Sequence, residues 1–317
     1  MMKVLTKNNL LILGVILLTF AIVQVLMSVG VITSFHEITI ATICINIILA
    51  VSLNLVTGFT GQFSLGHAGF MSIGAYVCAL IVMRYNSVEG FLLGTLAGAL
   101  AATIVGILIG IPTLRLKGDY LAIATLGMAE IIRVVFLNLE ITNGAAGLSG
   151  IPRYTNWFWM YLFVVLTIVL INNFIRSSYG RACISIREDE IAAESMGINT
   201  TKYKVMAFAI GSFFAGVAGA LFASYFYFLK PNTFGFLKSI DILVIVVLGG
   251  MGSITGSVVA AILLALISTF LQSFTEIRMI LYAVLLVAIM IFRPQGLMGT
   301  KEITDLFQFR KKNERIE

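Results

Sequence analysis

The sequence predicts an all-α, polytopic integral membrane protein of about ten transmembrane helices, from three observations. First, the chain of 317 residues is 59% hydrophobic and 11% charged, with a mean hydropathy of +1.03. A soluble domain carries about 25% charged residues. Second, the apolar residues gather into runs long enough to cross a hydrocarbon core of ~30 Å at ~1.5 Å per helical residue. Third, Pro112, Pro152, Pro231 and Pro294 all sit at the edge of a run or in a loop, where a missing N–H costs little. The spans leave no room for a soluble catalytic domain. The chain therefore reads as a single transmembrane domain over 1–317, with a polar loop at 176–204 and a polar C-terminal tail at 293–317.

The first run, 10–32, follows Lys3 and Lys7. It is longer than a signal-peptide core and lacks a small-residue cleavage site, so it reads as a retained span. Further runs lie at 39–57, 66–83, 91–111, 119–139, 157–175 and 205–229. The run at 239–251 is short for a crossing, and a re-entrant segment is its alternative. Runs at 254–272 and 277–292 complete the set.

Orientation follows from the retention of Lys and Arg on the cytoplasmic side of short loops. With the N-terminus inside, that side receives Lys3, Lys7, Arg115, Lys117, Arg176, Arg181, Arg187, Lys202, Lys204 and the basic residues from Arg293 to Arg315. Only Arg84, Arg153, Lys230 and Lys238 fall outside. Both termini are then cytoplasmic. The net charge of +6 belongs to juxtamembrane loops, which points to membrane lipid and away from nucleic acid. Tyr154, Trp157, Trp159 and Tyr161 cluster at the outer end of the sixth span, as interface anchors do. Cys44, Cys78 and Cys183 show no metal-ligand spacing and no disulfide framework, and His36 and His67 are far apart. No metal site is expected.

Two glycine-rich stretches interrupt the spans. Residues 54–76 hold Gly58, Gly61, Gly66, Gly69 and Gly74 together with Asn54, Gln62, Ser64 and His67. Polar groups and irregular backbone at membrane depth need protein or water around them. One reading is a broken helix lining a solute path; the other is a tight helix contact with a polar turn. The second stretch carries Gly249, Gly250, Gly252 and Gly256. One glycine-broken helix in each half suggests a shared central site, although no residue-level repeat is visible. The path candidates are Asn54, Gln62, Ser64, His67, Glu130 and Gly250. Glu130 and Arg133 stand three apart on one helix and can neutralise each other, or serve a path. The pairs Gly94/Gly98 and Gly106/Gly110 read as helix packing.

The loop 176–204, RSSYGRACISIREDEIAAESMGINTTKYK, is the longest charged interruption between spans. Arg187 to Met196 is predicted as a short helix, with Glu188, Asp189 and Glu190 at its positive end and Gly197 as its stop. Ala192 and Ala193 give it a low surface that fits a groove on a soluble partner. A solvated loop without a partner is the alternative.

This loop resembles the cytoplasmic coupling loop of ABC importer permeases, whose pattern is EAA, three residues, then Gly. Ala192, Ala193 and Gly197 match; Ile191 stands at the Glu position, Glu190 falls one place early, and the downstream Leu-Pro is absent. Those departures are typical of one branch. The stretches 54–76, 112–133 (PTLRLKGDYLAIATLGMAEIIR), 142–152 (TNGAAGLSGIP), 185–205 (SIREDEIAAESMGINTTKYKV), 241–259 (DILVIVVLGGMGSITGSVV) and 293–297 (RPQGL) resemble that branch, the branched-chain amino acid permeases of the LivM type. The likeness covers roughly residues 50–300.

The resemblance implies a heteromeric importer: two ATP-binding subunits, a LivH-like second permease and an extracytoplasmic substrate-binding protein. The coupling residues would be Arg187, Glu188, Asp189, Glu190, Ala192, Ala193 and Gly197. The outer loop 140–156, with Asn143, Gly144, Gly147 and Gly150, would face the binding protein. No GxxxxGK[ST] occurs in the chain, so ATP and Mg are expected on partner subunits and no cofactor on this one. Two rivals remain: a permease for urea or short amides, and a stand-alone ion-coupled transporter built on Glu130. An intramembrane enzyme has no HExxH, GxSxG or His/Asp cluster to support it.

Overall fold

The computed structural model describes residues 7–30, 32–270, 284, 287, 291 and 296–299. Most of the expected span 277–292 and most of the tail 293–317 lie outside the described residues. Eleven helices are described: α1 (Lys7–Ser28), α2 (Ser34–Asn54), α3 (His67–Arg84), α4 (Val88–Thr113), α5 (Asp119–Asn138), α6 (Trp157–Arg176), α7 (Ser178–Glu188), α8 (Glu190–Ser195), α9 (Thr200–Phe226), α10 (Phe236–Gly249) and α11 (Ile254–Phe270). A π-helical turn, Leu55–Phe59, extends α2. The other regular elements are short 3₁₀ turns and a two-stranded antiparallel pair, β1 (Leu148–Ser149) with β2 (Phe228–Leu229). Among the described residues seven segments are long and apolar enough to cross a membrane, Ser34–Phe59 being the first. The chain is thus an all-α polytopic membrane protein.

Short polar side chains fix where the helices begin. Ser87 accepts from the Gly90 N–H ahead of α4, Asn156 from the Trp159 N–H ahead of α6, and Asn199 from the Lys202 N–H ahead of α9. The Asn199 cap starts α9 five residues before the apolar run that predicted it at 205. Helix α10 likewise begins at Phe236 instead of 239, fed by the 3₁₀ turn Pro231–Phe234.

Helices α3, α4 and α9 form the tightest core. A β-carbon on Gly74 would collide with the Gly216 carbonyl, and one on Gly98 would lie 2.7 Å from the Gly74 carbonyl. Lipid is as apolar as leucine, so such helices associate by close backbone packing. Gly94 sits against Cys78 and Gly106 against Ser212, the packing role expected of those pairs.

Contacts sort the loops onto two faces. Lys117 meets Glu190 at 3.3 Å, Arg187 reaches the Gly58 carbonyl at 2.9 Å, and the Leu297 N–H donates to the Leu248 carbonyl at 2.8 Å. We call this the lower face. On the upper face Arg153 meets Glu37 at 3.7 Å, the Tyr154 hydroxyl donates to Asn86 at 2.8 Å, and β1 pairs with β2. With the 3₁₀ turn before it, helix α10 belongs to the segment Pro231–Gly249, which is long and apolar enough to cross a membrane, and it ends at the lower face at Gly250. Phe20 of α1 stacks on Trp157, whose ring in turn meets Tyr161, so the aromatic cluster joins α1 to the upper end of α6.

Candidate functional site: a lower-face junction and the polar loop it holds

The two glycine-rich stretches meet each other, at the lower face rather than at mid-depth. The first is a turn between α2 and α3, not a break within one span. Asn54, fully buried at the end of α2, makes three bonds across to the second stretch. Its Nδ2 donates to the Ser253 carbonyl at 2.8 Å and to Ser257 Oγ at 2.9 Å, and its Oδ1 accepts from the Gly252 N–H at 2.9 Å. Gly58 makes this closeness possible: a β-carbon there would collide with Asn54 Oδ1 and the Gly252 nitrogen. Gly250, at φ +112°, packs on the backbone of Gly296 and Gly299. Gly249 and Gly256 bring α10 and α11 into backbone contact.

The remaining path candidates divide. His67 Nε2 lies 2.8 Å from Ser52 Oγ, and Ser64 Oγ accepts from the Gly66 N–H at 3.3 Å. Both are buried and internally bonded. Gln62 is buried with neither amide atom hydrogen-bonded, and the Thr57 hydroxyl nearby is also without a partner. Glu130 and Arg133 pair at 2.6 Å, and Arg133 Nη1 donates to Asn232 Oδ1 at 2.8 Å. In this structure the Glu130 carboxylate is thus ion-paired. Neither residue is fully covered, at 36% and 25% side-chain exposure. Glu130 lies about 16 Å along α5 from Asp119, near the middle of that helix. Charge at such a depth is costly against hydrocarbon, so this face of α5 belongs against protein or water.

The polar loop folds as two helices, not one. The single helix expected from Arg187 to Met196 is broken at Asp189, whose backbone is extended (φ −156°, ψ 110°). Asp189 Oδ1 accepts from the N–H groups of Ile191 and Ala192 at 2.9 and 3.0 Å, capping α8. Competition from this local bond is the reason an Asp ends one helix and opens another. Glu188 consequently lies in the last turn of α7, at the wrong end for a carboxylate, and is held by Arg187. Gly197, at φ +85°, stops α8: its N–H donates to the Glu194 carbonyl at 2.9 Å and the Ile198 N–H to the Ala193 carbonyl at 3.1 Å. These are the two bonds of a Schellman cap.

Glu190 anchors the pair to the body of the protein. It accepts from Lys204 of α9 at 2.7 Å and meets Lys117 of the α4–α5 turn at 3.3 Å. Partial burial pushes its carboxyl up, but the two lysines outweigh that and hold it below the ordinary 4.5. Ala193, 4% exposed, packs into this chain; Ala192 is exposed. Sequence reasoning missed the outward residues Ile191 and Met196, which are 74% and 83% exposed. A large apolar side chain between charged neighbours was their signal. Lys117, Lys204, Ser253, Ser257 and Asn232 had no signal, since only tertiary contact gives them their roles.

The loop 140–156 is also built from local bonds. Asn143, at φ +57°, donates through Nδ2 to the Gly147 carbonyl at 3.1 Å, and Gly147 abuts the Leu229 backbone. Gly144 packs against the Leu137 carbonyl, whereas Gly150 is exposed. Among the described residues no group of three His, Cys, Asp or Glu could hold a metal.

The structure is a polytopic helical membrane bundle with a charged helix pair anchored on one face. The family model for the permease component of branched-chain amino acid transport systems matches residues 35–292. The chain belongs to that family. It is 40% identical over 298 residues to the high-affinity branched-chain amino acid transport system permease protein LivM of Salmonella typhimurium, covering 83% of this chain and 70% of that one. Identity to the LivM protein of Escherichia coli is 41% over 297 residues, 82% of this chain and 69% of that one. The LivH permease of Escherichia coli is 27% identical over 292 residues, 81% of this chain and 92% of that one. No solved structure matches.

Proposed function

We propose that this chain is a transmembrane permease subunit of an ATP-driven importer of branched-chain amino acids in the bacterial cytoplasmic membrane. Ten spans place both termini and the lower face in the cytoplasm. Thr39 lies beside Thr269 on the upper face and Leu297 beside Leu248 on the lower face; the tenth span is the apolar run 277–292 of the sequence. ATP and Mg act on two separate ATPase subunits; a LivH-like permease completes the path, with the charged face of α5 turned towards it. An extracytoplasmic binding protein delivers the amino acid to the upper face around 140–156.

The observation that carries the coupling reading is the exposure of α8. Its charged anchor, Glu190, is directed into this chain, while Ile191, Ala192 and Met196 point outward, beyond the apolar spans. Exposed apolar side chains on an anchored polar helix are what a partner groove receives. The substitution pair Ile191→Glu with Met196→Glu should abolish co-purification of the ATPases while leaving membrane insertion intact. Ion-gradient uptake by this chain alone in liposomes would refute the reading. Orientation is checked by thiol labelling of Ser149→Cys from outside and Ser195→Cys from inside. Native Cys183 does not interfere: it is 1% exposed, and burial pushes its thiol up to about 11.

A further inference from the structure

Arg187 closes α7 and belongs to the polar loop, yet its side chain turns away from the loop's exposed surface. Its Nη1 donates to the Gly58 carbonyl at 2.9 Å, inside the π-helical turn that ends the second span. Its aliphatic stem lies on Gly61, where a β-carbon would come within 3.0 Å of Arg187 Cγ. A β-carbon on Gly252, in the turn between α10 and α11, would lie 2.9 Å from Arg187 Nη1. The guanidinium therefore occupies the seam between two turns that Asn54 already ties together. Its Nε and Nη2 meanwhile hold Glu188, one residue before the Asp189 cap of α8. One planar side chain thus engages the loop on one edge and the transmembrane turns on the other.

We propose that Arg187 is a positioning residue that carries motion of the α7–α8 pair into both glycine turns at once, and that it does not contact an ATPase. The inference rests on the importer reading above and adds the joint through which the loop acts. Three features of the geometry suit that task. A π-helical turn leaves carbonyls outside the regular i→i−4 ladder, so Gly58 offers an acceptor without loss of a helix bond. A guanidinium donates in two directions from separate nitrogens of a rigid plane, whereas an ammonium offers its three donors from a single atom. Glycine at 61 and 252 clears the space the plane needs. Gln62 and Thr57, buried with unpaired polar atoms beside the same turn, are groups that a second arrangement of the turn could satisfy.

The test uses the whole importer in proteoliposomes: this chain, its second permease, both ATPases and loaded binding protein. The quantity read is leucine taken up per ATP hydrolysed, beside the yield of ATPase that co-purifies. Arg187→Ala should assemble at wild-type yield, hydrolyse ATP within about twofold of wild type, and lose at least tenfold in uptake per ATP. Arg187→Lys, which can reach Gly58 or Glu188 but not both, should lose about threefold. A structural role alone would lower yield and both rates together, leaving the ratio unchanged. An unchanged ratio in Arg187→Ala overturns the proposal, and so does selective loss of the ATPases, which would make Arg187 a partner contact. If Arg187→Ala does not assemble, Arg187→Lys decides by the same ratio, and an unchanged value overturns the proposal. Absence of ATP-driven uptake in the wild-type complex would instead bring down the importer reading, and this inference with it.

Discussion

The lower junction and the upper loop are both rich in glycine, and they use it for different reasons. At the junction Gly58 and Gly249 are required by space: a neighbouring backbone occupies the volume a β-carbon would take. In the upper loop Gly150 is required by conformation, with φ +77° and nothing within 4 Å of a β-carbon. Crowded glycines join transmembrane elements into a body that moves together. Conformational glycines shape a surface while leaving its neighbours uncommitted. The contrast is between a tightly packed junction at the lower face and, at Gly150 of the upper loop, a surface position with free space around it.

Substitution at Gly58 is the strongest way to break that comparison. Gly58→Ala should destabilise the protein by about 1–3 kcal/mol through overpacking. It should also separate Asn54 from Gly252, leaving a buried N–H unpaired, and so abolish uptake. Thermal unfolding in detergent and transport in vesicles measure the two effects. Wild-type stability and uptake would show that the junction has slack.

The upper loop sharpens the comparison, because Gly150 is constrained by conformation alone whereas Gly144 and Gly147 combine a positive φ with a crowded site. Gly150→Ala should cost about 1–2 kcal/mol, the strain of a left-handed backbone alone. Gly147→Ala should cost more, because it adds a collision with the Leu229 carbonyl to φ +82°. That collision would break the β1–β2 pair. Thermal unfolding of the two variants side by side checks the order; equal losses would mean that β2 yields freely.

The smallest effect is expected at the loop anchor. The Glu190 carboxyl is held below its ordinary 4.5 by Lys204 and Lys117. A group with a lowered folded-state value stabilises fully above its unfolded value and loses that contribution as pH falls through the lowered one. Hydrogen exchange across 176–204 should therefore be flat between about pH 6 and 8, once corrected for intrinsic rates, and should lose protection well below about pH 4.5. Glu190→Gln should remove that acid step with little loss of global stability, because the carboxylate is partly solvated. A persisting acid step in Glu190→Gln would assign the anchor to another group.

Much of the fold was legible in the chain. The apolar runs determined the membrane-spanning helices between 34 and 270 to within about five residues, because a span must bury about 20 apolar residues in sequence; they carried no signal for α7. Gly197 marked a helix end, since few other residues adopt its backbone. The break at Asp189 was less visible: helix propensity favours continuity from Arg187 to Met196, and only the competing Asp cap interrupts it. The facing of residues was not legible at all. Ala193 and Ile191 stand two apart on one short helix, yet one packs inward and the other is exposed, because Lys117 and Lys204 pin Glu190 from elements far away in sequence.

The sequence by itself thus determined a polytopic α-helical protein and its family, through local periodicity and ordered motifs. Tertiary structure alone decided that its two glycine stretches form one joint and that Arg187 sits within it. The physical reason is range. A helix is closed by bonds four residues apart, whereas Asn54 finds Gly252, and Arg187 finds Gly58, only after the spans between them have packed.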